Sequence, residues 1–224
     1  MKLVSINKGA ERAIERAGKS GKTGIYKLPL SGPVEITALG IPQDAIVDSK
    51  HHGGPDQALY LYGLPDYEWW SAELGRELAP GTFGENMTFS ELESAACAIG
   101  DCFQVGAVLL QVTSPRIPCS TLAARMGDPA FVKRFRAAER PGLYCRVLQT
   151  GSVQAGDPVT YLPYAEPSLT ALQAFHDFYT PQLSEAAVRR QLAAPIASRS
   201  RAEMEDLLRK ILVQPDAGAE APQP

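Results

Sequence analysis

The chain has 224 residues, 45% of them apolar, a formal net charge of −3 and four cysteines. This length and composition support a globular protein with a sizeable core, and the charge gives no global drive toward nucleic acid polymers or anionic membranes. No C-x-x-C pair occurs, so zinc ribbons, thioredoxin-like centres and iron–sulfur clusters lack their ligand spacing.

No apolar run reaches membrane-spanning length and the N-terminus reads as too short in apolar residues for a signal peptide; the expectation is a cytoplasmic protein with reduced thiols. In chain order, residues 1–7 read as a strand. Residues 9–24 are polar and basic, carry Gly18, Gly21 and Gly24, and read as a mobile loop. Gly21-Lys22-Thr23 there is no phosphate-binding P-loop, because that motif needs a glycine five residues before its Gly-Lys pair and position 16 is Arg16. Short extended pieces follow at 25–28 and 34–39, punctuated by Pro29, Gly32, Pro33, Gly40 and Pro42. Residues 58–62 open an apolar element, and 65–75 predict a helix with Pro65 in its first turn. A glycine-rich turn spans 81–86. Residues 98–112 carry the clearest strand signal, two strands around Gly106 introduced by Gly100-Asp101. Asp128 as N-cap and Pro129 as first residue predict a helix over 128–138. Residues 142–162 return to strands, the last behind Gly156-Asp157. Repeated Gly-Asp turns before short strands predict a β-barrel.

The pattern changes at about 163–168. Helices are expected at 168–178, at 184–193 behind Ser184, and at 200–213, where Ser200-Arg201-Ala202-Glu203 has the form of a capping box. The chain thus divides into a β-rich unit (1–163), a three-helix extension (164–213) and a Pro/Ala-rich tail (214–224) expected to be disordered. The fold class is mainly β, of α+β type, with peripheral helices on the barrel.

Three clusters can carry chemistry. Cys119 follows Pro115-Arg116-Ile117-Pro118, two prolines that stiffen a loop presenting one cation and one thiol. A neighbouring guanidinium favours the thiolate, the form that attacks or binds a metal; an isolated free Cys is equally often a small buried hydrophobe. Lys50-His51-His52-Gly53-Gly54-Pro55-Asp56-Gln57-Ala58 holds two of the three histidines. Adjacent side chains of an extended segment face opposite ways, so both histidines do not readily bind one metal. The cluster is either a Gly-Gly turn with a structural histidine, or a site where one His and Asp56 hydrogen-bond a ligand. Gly81-Thr82-Phe83-Gly84-Glu85-Asn86-Met87 is either a turn capped by Asn86 or a backbone wall with Glu85 and Asn86 facing a polar heterocycle.

In order and spacing, His52-Gly53-Gly54-Pro55-Asp56-Gln57-Ala58, Phe83-Gly84-Glu85-Asn86-Met87, Gly100-Asp101 and Pro115-Arg116-Ile117-Pro118-Cys119 resemble the MOSC family. These domains are related to the C-terminal part of molybdenum-cofactor sulfurases. The likeness is to the YiiM-type branch, whose early segment matches Thr23-Gly24-Ile25-Tyr26-Lys27 and whose three-helix extension matches the C-terminal helices; it covers 1–213. One departure lies in Gly40 to Asp48, where Gln43 and Val47 replace a glycine and an alanine of the family pattern.

The resemblance implies a MOSC-type β-barrel that binds molybdenum cofactor and reduces N-hydroxylated compounds, including N-hydroxylated purine bases. Cys119 is then the protein ligand to molybdenum, which accepts soft thiolate. The cofactor-binding set is Lys50, His52, Gly53, Gly54, Asp56, Gln57, Phe83, Gly84, Glu85, Asn86, Ser114, Arg116 and Cys119. Arg116 and Lys50 suit the anionic pterin phosphate, and His52 suits orientation or proton delivery. No haem motif, cysteine cluster or dinucleotide fingerprint is present, so electrons are expected from a separate flavin- or iron–sulfur-containing reductase. Two other readings compete: a Cys119 persulfide that carries or transfers sulfur, and a molybdenum-cofactor carrier without turnover.

Overall fold

The computed structural model describes residues 1–16, 18–49 and 52–213, and every structural statement refers to these. The expectation of disorder at 214–224 falls outside them. The strand order of the main sheet is β12-β8-β9-β10-β6-β7-β1-β4. Its members are β1 (Leu3–Gly9), β4 (Lys27–Pro29), β6 (Leu59–Gly63), β7 (Met87–Phe89), β8 (Cys102–Val105), β9 (Val108–Pro115), β10 (Leu143–Gln149) and β12 (Val159–Leu162). Every pair is antiparallel except β6–β7. That parallel pair requires a crossover, which α1 (Leu64–Leu74) begins.

Alternation along β6 explains how one strand serves two cores. Leu59 and Leu61 join a cluster with Leu3, Met87, Phe103, Leu110, Val112 and Cys145. Tyr60 and Tyr62 point the other way, to Trp70, Phe83, Phe131 and Phe135. All five residues of β6 are buried, so the sheet is covered on both faces and its sequence reads as a continuous apolar run.

The α+β class stands, with six helices among the described residues. The closed barrel does not: the sheet ends at β12 and β4 and is not closed. The free side of β1 is divided between two neighbours. Asn7 to Gly9 pair with β4, while the N-terminal end meets the turn before β12 at the bridge Lys2–Pro158, where Leu3 N–H donates to the Asp157 carbonyl and Val159 N–H to the Met1 carbonyl, each at 3.0 Å.

Two further corrections concern local structure. Residues 9–24 are no loop: β2 (Arg12–Arg16) and β3 (Lys19–Thr23) form a regular antiparallel hairpin. Second, Asp128 and Pro129 lie outside the helix they were expected to start. Asp128 Oδ1 accepts the Ala130 N–H at 2.8 Å, and α3 runs Phe131–Ala138. Beyond β5 (Val34–Ile36) and β11 (Gly151–Val153), which pair with each other, the chain ends in α4 (Ala171–Tyr179), α5 (Glu185–Ala193) and α6 (Ser198–Val213). Thr170 and Gln173 make a reciprocal capping box on α4, and Ser184 caps α5. The last helix starts two residues before the expected Ser200. Leu169, Ala171, Ala194 and Ile196 pack into the same core as β9 and β10. Among the described residues no helix is long and apolar enough to cross a membrane.

The hairpin is held where three backbones converge. Ala45 N–H donates to the Gly9 carbonyl at 2.9 Å. A Cβ on Gly9 would collide with the Gly24 carbonyl, and one on Gly24 with the Ala45 carbonyl. Glycine is therefore required by close approach of main chains. Gly24→Ala is expected to lower unfolding free energy by about 2 kcal/mol or more, read as a shifted denaturant midpoint; an unchanged midpoint would mean that this packing is loose.

Candidate functional site

A cleft with an enclosed volume of about 110 Å3 opens beside the hairpin. Its back wall comes from β6, β10 and the segment after β9. Strand β9 ends at Pro115 and delivers Arg116 into the aromatic core. After Pro118, Cys119 is extended (φ −130°, ψ 171°) and forms the N-cap of α2 (Ser120–Met126). Its carbonyl accepts the Leu122 N–H at 3.0 Å, which starts the helix.

Arg116 is only 4% exposed. Its guanidinium carbon lies 5.3 Å over the Tyr60 ring and 6.0 Å over Phe135. It donates to the Tyr144 hydroxyl, while its Nη1 has no partner among the described groups. Arginine only donates, so the Tyr144 oxygen must accept. The Tyr144 hydroxyl also lies 3.1 Å from His52 Nδ1. His52 also hydrogen-bonds the Cys119 sulfur. One buried cation thus begins a chain of contacts from Arg116 through Tyr144 and His52 to Cys119.

Burial alone would push the Cys119 thiol up. The His52 hydrogen bond, the Arg116 charge and the Leu122 N–H outweigh it and bring the thiol down to about 6. Cys97 shows the contrast: burial beside Asp101 pushes it up to about 12. Burial also raises Tyr144 and keeps it a phenol.

A second charged group forms the floor. Lys27 and Asp44 make a buried ion pair. Burial drives the Lys27 amine down and Asp44 pulls it back. Asp44 also accepts the Gly9 N–H and the Asn86 amide, each at 2.8 Å. Arg16 of β2 crosses to Thr121 of α2 at 3.1 Å and, with Lys22, brings cations to the mouth.

Of the residues expected at a site, the fold brings His52, Gly53, Gln57, Gly84, Asn86, Arg116 and Cys119 to this cleft. Gly53 (φ 77°) and Gly84 (φ 79°) turn tightly against Ile46 and Ile25, which a Cβ would strike. The Asn86 amide is committed to the scaffold, donating to Asp44 and accepting from the Tyr60 N–H at 3.2 Å. Five expected residues do not line the cleft. Phe83 is fully buried against Tyr62, Tyr67 and Trp70. Glu85 accepts from Tyr67 at 2.6 Å and from Thr88 at 2.9 Å inside the core, where burial raises its carboxyl. Ser114 is half-buried on β9, and its buried hydroxyl has no partner among the described groups. Gly54 and Asp56 belong to the turn behind His52, with Asp56 paired to Arg146 at 2.8 Å. Lys50 and His51 lie outside the described residues.

Lys27, Asp44, Tyr60, Tyr144 and Thr121 were missed as site residues. Tyr144 carries no local signal: only register sets it opposite Tyr60 on β6 and Ser114 on β9. Asp44 was visible as part of Gly40–Asp48 but had no assigned partner.

The thiol makes a direct prediction. Alkylation of Cys119 by iodoacetamide should rise with pH around a midpoint of about 6, and His52→Ala or Arg116→Met should move that midpoint upward. A wild-type midpoint above 8 would show that burial wins. The folded thiol lies below its ordinary value, so its contribution to stability is full above the unfolded value and fades as pH falls toward about 6.

Comparison with known proteins agrees with this architecture. Residues 48–160 match the MOSC domain. The chain is 32% identical over 198 residues to YflK of Bacillus subtilis (strain 168), spanning 88% of this chain and 90% of that protein. It is 35% identical over 157 residues to a protein of Gibberella moniliformis named reductase, spanning 67% of this chain but 28% of that one. The crystal structure of YiiM from Geobacillus stearothermophilus superposes with a TM-score of 0.74 at 29% identity, covering 92% of this chain and 98% of the other. The chain belongs to the MOSC domain family.

Proposed function

We propose that the chain is a molybdenum-cofactor-binding reductase of N-hydroxylated compounds, such as N-hydroxylated purine bases, supplied with electrons by a separate flavin- or iron–sulfur-containing protein. The observation that carries this reading is the pairing of a lowered thiol, Cys119, with a buried guanidinium whose Nη1 has no partner. One is a soft metal ligand and the other an anion donor, and both belong to one cleft.

The residues present fit the cofactor. Among the described residues no group of three or more His, Cys, Asp or Glu side chains could hold a bare metal ion. A metal here would therefore arrive in a group that brings its own ligands, with Cys119 adding one sulfur. Arg116 would meet an anionic part of that group, and the tight turns at Gly53 and Gly84 let the cleft wall pack closely beside it. When bound, the cofactor supplies two-electron redox chemistry at the metal.

This chain's own groups do the rest. Reductive cleavage of an N–OH bond takes up two electrons and two protons and releases water. His52 is placed beside the Cys119 sulfur to deliver a proton, and the Tyr144 contact at its Nδ1 orients the ring. The exposed Ile46 and Val47 give the mouth an apolar side for a flat heterocycle, and Gln57 adds a polar group. The relative named reductase supports the reaction class.

Expression in a cofactor-synthesising host followed by elemental analysis tests the reading. Wild type should carry about one molybdenum per chain, Cys119→Ser should lose at least about tenfold, and wild type should turn over a hydroxylaminopurine with reduced viologen. No molybdenum in either protein overturns the proposal. Cyanide-labile sulfur without molybdenum assigns a persulfide instead, and molybdenum without turnover assigns a carrier.

A further inference from the structure

Asp56 lies in the 3₁₀ turn Pro55–Gln57, directly behind the His52 loop. Gly53 and Gly54 both have positive φ, 77° and 85°. A segment built on two such glycines has little conformational preference of its own, so its position must come from outside contacts. Asp56 supplies them. Its Oδ1 takes Arg146 Nη2 at 2.8 Å. Its Oδ2 takes the backbone N–H of Ser198, the first residue of α6, at 2.7 Å. Its carbonyl accepts the Thr113 hydroxyl at 2.5 Å, and that hydroxyl also lies 3.1 Å from the Tyr144 carbonyl.

These contacts converge on β10. Arg146 stands two residues beyond Tyr144, and Tyr144 is the partner of His52 Nδ1. The segment from His52 to Asp56 is therefore stitched to one strand at both ends. Arg146 Nη2 also donates to the Ile196 carbonyl at 3.0 Å, which fixes the connection between α5 and α6. One carboxylate thus joins the cleft loop, the central sheet and the start of the last helix.

We infer that Asp56 is a positioning residue, and that the N-terminus of α6 is part of the framework holding His52 against Cys119. The inference rests on the reading of His52 and Cys119 as the working pair. It does not require bound molybdenum. Both carboxylate oxygens are needed: an asparagine offers one acceptor and turns a donor toward another donor.

The test uses the full chain without cofactor and measures the rate of Cys119 alkylation at one fixed, near-neutral pH, well below the melting temperature. Asp56→Asn should slow the reaction about tenfold. Ser198→Pro removes both Ser198 groups that Asp56 accepts, the backbone N–H and the hydroxyl, at a first helical position where proline is tolerated, and should slow it in the same direction. Asp56→Glu, which can still accept twice, should recover part of the rate. A role confined to tying down α6 would lower the melting temperature and leave the alkylation rates at the wild-type value; that result overturns the inference. If Asp56→Asn does not fold, the Ser198→Pro rate decides alone. Molybdenum content does not enter this readout, so failure here and failure of the proposed reaction are separable.

Discussion

A guanidinium buried inside a sheet-and-helix core is the constraint around which this molecule is arranged. Arg116 cannot shed its proton and reaches water over only 4% of its surface. Leaving such a charge uncompensated in a protein interior costs several kcal/mol. The fold compensates it with the faces of Tyr60 and Phe135, the Tyr144 oxygen and the Cys119 sulfur. The last of these has a chemical consequence, because a cation that needs negative charge nearby holds the thiol as thiolate. The same cation orients Tyr144, and through it His52.

The aromatic core supports this arrangement. Tyr62, Tyr67, Trp70, Phe83, Phe131 and Phe135 are packed ring to ring. Their polar atoms are used within the core: Trp70 Nε1 donates to the Tyr62 hydroxyl at 2.9 Å, and Tyr62 donates to the Arg140 carbonyl at 3.0 Å. Rigid rings with satisfied polar tips hold Arg116 in place without relying on flexible side chains. On the cleft's other side, Lys27, Asp44 and Asn86 tie β1, β4 and β6 together through charged hydrogen bonds. The site is thus walled by scaffold contacts, and relatively few side-chain atoms are left for a ligand.

Legibility in the sequence followed locality. Strands β8 and β9 and helices α1, α4 and α5 were read close to their places because their signals lie within a few residues: a turn glycine, an early proline, a Ser cap. The hairpin β2–β3 was read as a loop because its stability comes from Gly9, Gly24 and Ala45 meeting across the chain. The small helix α2 was missed because two prolines precede it and only seven residues form it. The same division holds at the site. Cys119, Arg116 and His52 were singled out by residue type and neighbours. Glu85 and Phe83 stood in the same kind of motif yet turned inward, since alternation after a tight glycine turn decides facing and a pattern of residue types does not. Asp56 was expected at a ligand and instead bonds Ser198, 142 residues away.

By itself, the sequence determined the family-type clusters, the thiol and its arginine, and the α+β class, because each depends on residue chemistry and short-range spacing. Tertiary structure alone decided that the sheet stays open, that Tyr144 links Arg116 to His52, and that burial loses to hydrogen bonding at Cys119. Those outcomes depend on strand register and on which charges share one interior. Such distances are set only when segments far apart in sequence pack together.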